Sequence, residues 1–415
     1  MMHNNVAGVV IIGASLAGGR AAASLRTAGY EGLITLIGEE PHLPYERPPL
    51  SKEVLTQPGD LPPQFFIQDE SYYADNNIDL RLGVRAQRID LTDRCVLLSN
   101  GDGIAFEYLV LATGARARKL KMEGGDLEGV HYLRTLEDAR RLSKELKPGA
   151  RIGLIGMGVI GAEVASSARK LGCEVVTIEP QEIPMARALG PRFGAWLANI
   201  HREEGVDVHL GRGVKSIGGE NGRATGVVLD DDTIIDLDAV LIGVGVVPNV
   251  ELAQDAGLDV DNGILVNEFA QTSCPFIYAI GDVANSPLYF GGRGRCETYQ
   301  NAQDQAVAAA RSIAGKPEKY LKPQWFWTDQ FDINLQVLGD IISQAQIIIR
   351  GDENSRSFSA FYVRNNVIAG MLTVNRPKDM GAGRRLLERA IPVEATLLAD
   401  TSIDLRQLLK NTAPS

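Results

Sequence analysis

One pattern occurs twice in this chain and constrains its fold more than any other feature. Residues 9–39 read VVIIGASLAGGRAAASLRTAGYEGLITLIGE, and residues 151–179 read RIGLIGMGVIGAEVASSARKLGCEVVTIE. Each copy runs as an apolar strand, a glycine turn, a helix of small residues, a second apolar strand and an acid. The continuous apolar run gives way to helical spacing and returns, as a βαβ unit with buried parallel strands requires.

The glycine positions have separate physical jobs. Gly13 and Gly156 permit the tight turn out of the first strand, and Gly158 lets backbone N–H groups approach a pyrophosphate. Gly18 and Gly161 allow the helix to pack closely on the strand. The helix then presents unpaired N–H donors and its positive end to the phosphates. Glu39 and Glu179 close the second strands, 26 and 23 residues after the first glycine, where a carboxylate can hold ribose hydroxyls. Ser15 replaces the middle glycine of the first copy; its small side chain still fits, and its hydroxyl can reach a phosphate. Two such units predict two dinucleotides, one bound flavin and one exchanging nicotinamide. Thr113 and Gly114 lie in LVLATGARAR (109–118), a strand followed by a turn, and Gly281 and Asp282 end the strand of YAIGDVA (278–284), where a carboxylate can bind a ribityl hydroxyl.

Composition narrows the remaining choices. A net charge of −10 disfavours general nucleic-acid binding, which needs clustered cations. The 44 glycines among 415 residues exceed the usual ~7% without collagen-like periodicity. No apolar run, AVLIGVGVV (239–247) among the longest, approaches the ~20 residues of a spanning helix, and MMHNN does not open a signal sequence. Cys95, Cys173, Cys274 and Cys296 lie far apart, with no CxxC pair or zinc spacing, and the five histidines are scattered. The chain therefore reads as cytoplasmic, metal-free and reduced at its thiols, the cysteines being small buried hydrophobes.

Beyond the repeat, PYERPPLSK (44–52), YLRTLEDA (132–139), GVGVVPN (243–249), NEFAQTSCPFIYAIGD (267–282), ETYQNAQ (297–303) and FWTDQFDINLQVLG (326–339) follow in an order that resembles one family. It is the putidaredoxin reductase-like group of bacterial NADH-dependent ferredoxin reductases, flavoproteins of aromatic-ring dioxygenase and haem-thiolate monooxygenase systems. The resemblance implies an α/β fold with two Rossmann-like dinucleotide-binding domains and a C-terminal α/β domain. An FAD-binding domain (1–117 and 246–322) is split by an NAD-binding domain (118–245), and residues 323–415 form the C-terminal reductase domain.

Residue roles follow from the same resemblance. FAD contacts are implied at Ala17, Glu39, Lys52, Ala86, Arg134, Asp282 and Tyr299, with Arg47 near the pyrophosphate. Gly156, Gly158, Ile160, Gly161, Glu179, Arg187 and Gly245 fall to NAD. Lys52 is implied beside the isoalloxazine, Glu163 beside Lys52 at the nicotinamide–flavin junction, and Trp327 near the flavin ring. Without the resemblance, Lys52 reads as a solvated lysine and Glu163 as a first-turn acid complementing a helix dipole. Trp325 and Phe326 read as core, and Asp329 and Gln330 have no role.

Related flavoproteins pass electrons to a redox-active cysteine, and neither a CxxC nor the lone cysteine of the PHLPYER region (41–47) is present. Electrons then leave the flavin directly, to a [2Fe–2S] ferredoxin and indirectly to a terminal oxygenase. An NADH oxidase or quinone reductase on the same scaffold, or a nicotinamide-sensing flavoprotein, are the alternatives. Arg293 and Arg295, and Arg376, Lys378, Arg384 and Arg385, are candidate basic patches for an acidic ferredoxin.

Overall fold

The structure is a computed structural model that describes residues 7–57, 59, 61–342 and 344–409. The MMHNN start lies outside the described residues. The chain forms two compact units: residues 1–47, 61–116 and 247–324 make one, and residues 48–60, 117–246 and 325–415 the other. The segment 48–60, which the sequence reading kept with the first nucleotide-binding portion, belongs to the second unit. Residues 117–246 and 325–415 fall in that same compact unit.

The first unit is built on a sheet in which Ile78–Leu82, Ile34–Gly38, Gly8–Ile12 and Gly103–Leu111 run parallel in that order, with Ile277–Ala279 parallel on the far side of Gly103–Leu111. Cys95–Leu98 and Ala86–Asp90 continue it antiparallel. Every residue of Gly8–Ile12 is buried, which explains why the strand reads as an uninterrupted apolar run. Chain order reverses between Gly8–Ile12 and its neighbour Gly103–Leu111, and the Gly13 turn leaves the sheet at that switch point, the place where open α/β sheets bind ligands.

The second unit repeats the arrangement. Val206–Leu210, Glu174–Glu179, Arg151–Ile155, Ala239–Ile242 and Val130–His131 form a parallel sheet in that order. Residues 325–374 supply a five-stranded antiparallel sheet with Trp325–Gln330 at one edge. One of its faces buries Ile333, Leu335, Val337, Phe358 and Leu372 against Leu189, Phe193, Leu197 and Ile200 of the helix Ala186–Glu203. At about 1.5–3 kcal/mol for each large apolar side chain fully removed from water, this shared core fastens the C-terminal sheet to the nucleotide-type layer.

Candidate functional site

Both glycine turns fold alike. Gly13 and Gly156 sit at φ +113° and +98°, a region costly for residues with a Cβ. Their amides bond Ile37 O and Ile178 O, each at 2.8 Å. A Cβ on Gly18 would lie 1.8 Å from Gly13 O, and one on Gly161 2.1 Å from Gly156 O, so each third glycine is fixed by backbone contact. Helices Leu16–Ala28 and Val159–Lys170 start at Ser15 and Gly158, and neither residue caps its helix through a side chain. A Cβ on Gly158 would meet nothing within 4 Å. The first N–H donors of both helices therefore lack a side-chain cap, as a phosphate-binding turn needs.

Around the first turn, Arg47 Nε donates to Ser15 Oγ at 3.0 Å, and its guanidinium also pairs with Glu40 at 3.1 Å. The sequence reading named Ser15 and Arg47 separately; the fold puts them in contact. Gly281 packs on the same helix, since a Cβ there would lie 3.0 Å from Ala17 Cβ, and its amide donates to Gln305 Oε1. That contact brings the Gly281–Asp282 strand end to Ala17. Tyr299 donates to Glu46 at 2.5 Å, and Thr113 exchanges two hydrogen bonds with Asn249 beside Gly114. Glu39 follows its strand with a largely exposed side chain, and Ala86 is buried at the start of its own strand.

Around the second turn, Glu179 folds back. Its Oε2 accepts from Met157 N at 2.8 Å and its Oε1 from Gln181 N at 3.0 Å. The carboxylate is held over the turn by these two backbone donors. Ile160 points outward at 42% exposure, and Arg187 lies exposed in the first turn of Ala186–Glu203. Gly245 makes its turn at φ +94°. Arg134 is half-buried, just ahead of the capping box of helix Leu136–Ser143.

Lys52 and Glu163 meet as an ion pair, Nζ to Oε2 at 2.8 Å. Neither side chain is the solvated group that its residue type alone suggests. The Lys52 side chain is only 15% exposed rather than solvated. Glu163 is the fifth residue of its helix, past the first turn, and is 3% exposed. Ser51 Oγ also donates to Glu163 Oε2, and Thr328 Oγ1 donates to Oε1 at 2.8 Å. A buried carboxylate needs such donors and a counter-ion.

Sequence reasoning missed Ser51 and Thr328, because residues 51, 163 and 328 carry no common spacing. A signal existed for Thr328: strand periodicity in WFWTDQ puts Phe326, Thr328 and Gln330 on one face. On the other face Trp325 and Trp327 stack, 5.2 Å between centroids, with the Arg384 guanidinium 5.1 Å over Trp325. Trp325 is thus half-exposed and capped by a cation, not core, whereas Phe326 packs on the core as expected. Trp327 Nε1 and Asn334 Nδ2 both donate to Asp329, giving that residue a structural role.

Other expectations also change. Cys173 and Cys296 are buried, but Cys95 and Cys274 only partly; all four thiols are free. Burial pushes the Cys296 thiol up to about 11, so it holds its proton at neutral pH. The Arg293–Arg295 patch is open at Arg293 and closed at Arg295. Arg295 is 11% exposed at its side chain and paired with Glu297, whereas Arg293 is exposed and donates to Val266 O and Asn285 O. Lys378 and Arg385 are exposed on the helix Pro377–Glu388, while Arg376 bonds Ser357.

Comparison with known proteins agrees with this geometry. The profile described as pyridine nucleotide-disulphide oxidoreductase matches residues 7–306, which contain both glycine turns. The chain belongs to that family. A second profile, the reductase C-terminal domain, covers residues 325–409. This pyridine nucleotide-disulphide oxidoreductase is 41% identical over 399 residues to rhodocoxin reductase of Rhodococcus erythropolis, spanning 96% of this chain and 93% of that one. It is 41% identical over 406 residues to the ferredoxin–NAD(+) reductase component of the p-cumate 2,3-dioxygenase system of Pseudomonas putida, spanning 98% and 99%. Among solved structures, the covalent putidaredoxin reductase–putidaredoxin complex superimposes with a TM-score of 0.94 at 36% identity, covering 98% of this chain and 99% of that one.

The family's chemistry joins FAD to a nicotinamide nucleotide, and the residues present fit both groups. Two uncapped helix starts, two third glycines in backbone contact and the open space at Gly158 make two phosphate cradles. No helix among the described residues is long and apolar enough to cross a membrane, and no His/Cys/Asp/Glu group there could hold a metal ion.

Proposed function

We propose that this chain is an NADH-dependent ferredoxin reductase, passing hydride from NADH to FAD and then single electrons to a [2Fe–2S] ferredoxin that serves an oxygenase. The observation that carries the reading is the match along nearly the whole chain, C-terminal domain included, to reductases named for that activity. The four free thiols are consistent with an exit that uses no disulfide. Bound FAD supplies the conversion of a two-electron hydride into single electrons, chemistry that belongs to the cofactor.

The protein's part is to hold and orient. The Gly13 turn, Ser15 and Arg47 hold the FAD pyrophosphate, Glu39 the adenosine ribose, and Ala17, Gly18, Ala86, Thr113, Gly114, Gly281, Asp282 and Tyr299 line the rest. Arg134 and Trp327 keep the flavin contacts that the resemblance implies. The Gly156–Gly161 turn, with Ile160, Arg187 and Gly245, receives NADH. Glu179 accepts from the ribose 2′-hydroxyl and repels a 2′-phosphate, which selects NADH over NADPH. Lys52 and Glu163 act on the hydride step, the cation favouring negative charge as it develops on the accepting ring.

The experiment is NADH-dependent cytochrome c reduction by the FAD-loaded protein, with purified [2Fe–2S] ferredoxins added singly. Turnover that rises only with a ferredoxin supports the assignment. Turnover that no ferredoxin accelerates and a quinone does assigns a quinone reductase instead.

A further inference from the structure

Behind the Lys52–Glu163 pair lies a line of buried polar side chains that nothing described so far requires. Thr328 Oγ1, which donates to Glu163 Oε1, accepts from Gln330 Nε2 at 3.0 Å. Gln330 Oε1 in turn faces His201 Nε2 at 2.8 Å. Thr328 and Gln330 are each 1% exposed and His201 0%. Three elements of the second unit are linked: the helix Ala186–Glu203, the edge strand Trp325–Gln330 and the helix Val159–Lys170.

The line has one direction. The Glu163 carboxylate, paired with Lys52, only accepts, so the single Thr328 proton points at it. Gln330 then donates through its NH₂, which leaves its carbonyl toward His201. That carbonyl needs a donor, so the imidazole carries its proton on Nε2, and Nδ1 has no partner among the described residues. Burial holds the ring neutral, its proton affinity lowered to about 4. Each donor faces Glu163, and no member is free to reverse without leaving a further buried group unpaired, a loss on the order of 1–3 kcal/mol. Packing alone does not explain it, since Val has the shape of Thr and would fill the same space without the hydroxyl that Glu163 and Gln330 use.

We infer that Thr328, oriented by Gln330 and His201, is a positioning residue for hydride transfer: it locks the Glu163 carboxylate in the orientation that pairs with Lys52. The edge strand thereby serves the reaction from both faces, the Trp327 side and the Thr328 side. The inference rests on the reading that NADH reduces FAD in this chain.

The test is anaerobic stopped-flow reduction of FAD-loaded protein by NADH. Thr328→Val should lower the limiting rate about tenfold, the scale of one hydrogen bond to a charged group, while the NADH concentration at half-saturation and FAD content stay at wild-type values. Thr328→Ser should restore the rate. In an E163Q background the T328V substitution should cost nothing further, because its only route of action is gone. Gln330→Met, should Thr328→Val fold poorly, carries the same expectation with a smaller loss. Independently of turnover, ¹⁵N NMR of histidine-labelled protein should show His201 neutral and protonated on Nε2. A wild-type rate in T328V or Q330M, losses that multiply in the double variant, or a proton on Nδ1 would overturn the inference alone. Wild-type FAD that NADH does not reduce would overturn the proposed function and this inference with it.

Discussion

The two glycine turns share a backbone and differ in their side chains. Gly13 and Gly156 have the same left-handed geometry, bond equivalent strand carbonyls and receive an equally close third glycine. At the middle position, however, the first turn has Ser15, held by Arg47 and through it by Glu40, while the second has Gly158 with open space before it. A cation bonded into the first turn adds a charge-assisted contact for a phosphate and suits a group that stays. The bare second turn offers only backbone donors, with Glu179 folded over it on Met157 N. That suits a ligand that must leave after each turnover. Under the proposed function, that difference separates a resident nucleotide from an exchanging one.

Substitution of the third glycines should break the comparison most sharply. Gly18→Val should give protein purified without FAD. Gly161→Val should retain FAD, still be reduced by dithionite, and lose NADH-driven reduction by roughly 100-fold or more, since the clash is with backbone that cannot yield. Absorbance spectra and stopped-flow rates separate the two outcomes; loss of FAD from both variants would erase the distinction between the turns.

Acid should act on the second unit through His201. Its folded-state affinity, about 4, lies below the ordinary 6.5, so the unfolded chain binds the proton more tightly. The stability from keeping it neutral is complete above about pH 6.5 and falls as pH drops toward 4, by about 3 kcal/mol at the limit. Urea unfolding across that range should show this slope, and His201→Gln should flatten it. An unchanged slope in the variant would mean that other groups govern the acid limb.

Nucleotide choice should respond by about tenfold to Glu179→Gln, measured as the ratio of kcat/KM for NADH and NADPH, through loss of one charged hydrogen bond and of repulsion. Equal constants for both nucleotides in the wild type would remove Glu179 from this role. The smallest effect is expected at Arg47→Met, which should weaken FAD binding several-fold, within the range of one charge-assisted contact, and leave the NADH constants alone. An altered NADH constant there would blur the separation between the turns.

Much of this was legible from the chain because it depends on local chemistry. The glycines, the small-residue helices and the terminal acids are contiguous, so the two βαβ units and the α/β class follow from spacing. Ser15 and Arg47 are 32 residues apart, but the motifs around each placed both near phosphate. The Glu163 environment was not legible in the same way. Ser51, Thr328, Gln330 and His201 reach it from distant segments, and each alone is an ordinary polar residue in an apolar run. Alternation along WFWTDQ separates two faces without saying what either one meets. Trp325 was misread for that reason, as its partner Arg384 comes from the helix Pro377–Glu388. Arg295 was not legible as a paired cation, because charge in a sequence says nothing about which carboxylate already holds it.

The most direct measurement is electron stoichiometry. FAD-loaded protein, with its thiols blocked by alkylation where accessible, is mixed anaerobically with limiting NADH and excess oxidised [2Fe–2S] ferredoxin, and the reduced cluster is counted by absorbance. Two ferredoxins reduced per NADH, at a rate unaffected by alkylation, is the expected result, because one hydride carries two electrons and no cysteine lies on the route. Flavin that becomes reduced while no [2Fe–2S] ferredoxin accepts its electrons, or transfer that stops on alkylation, would contradict it.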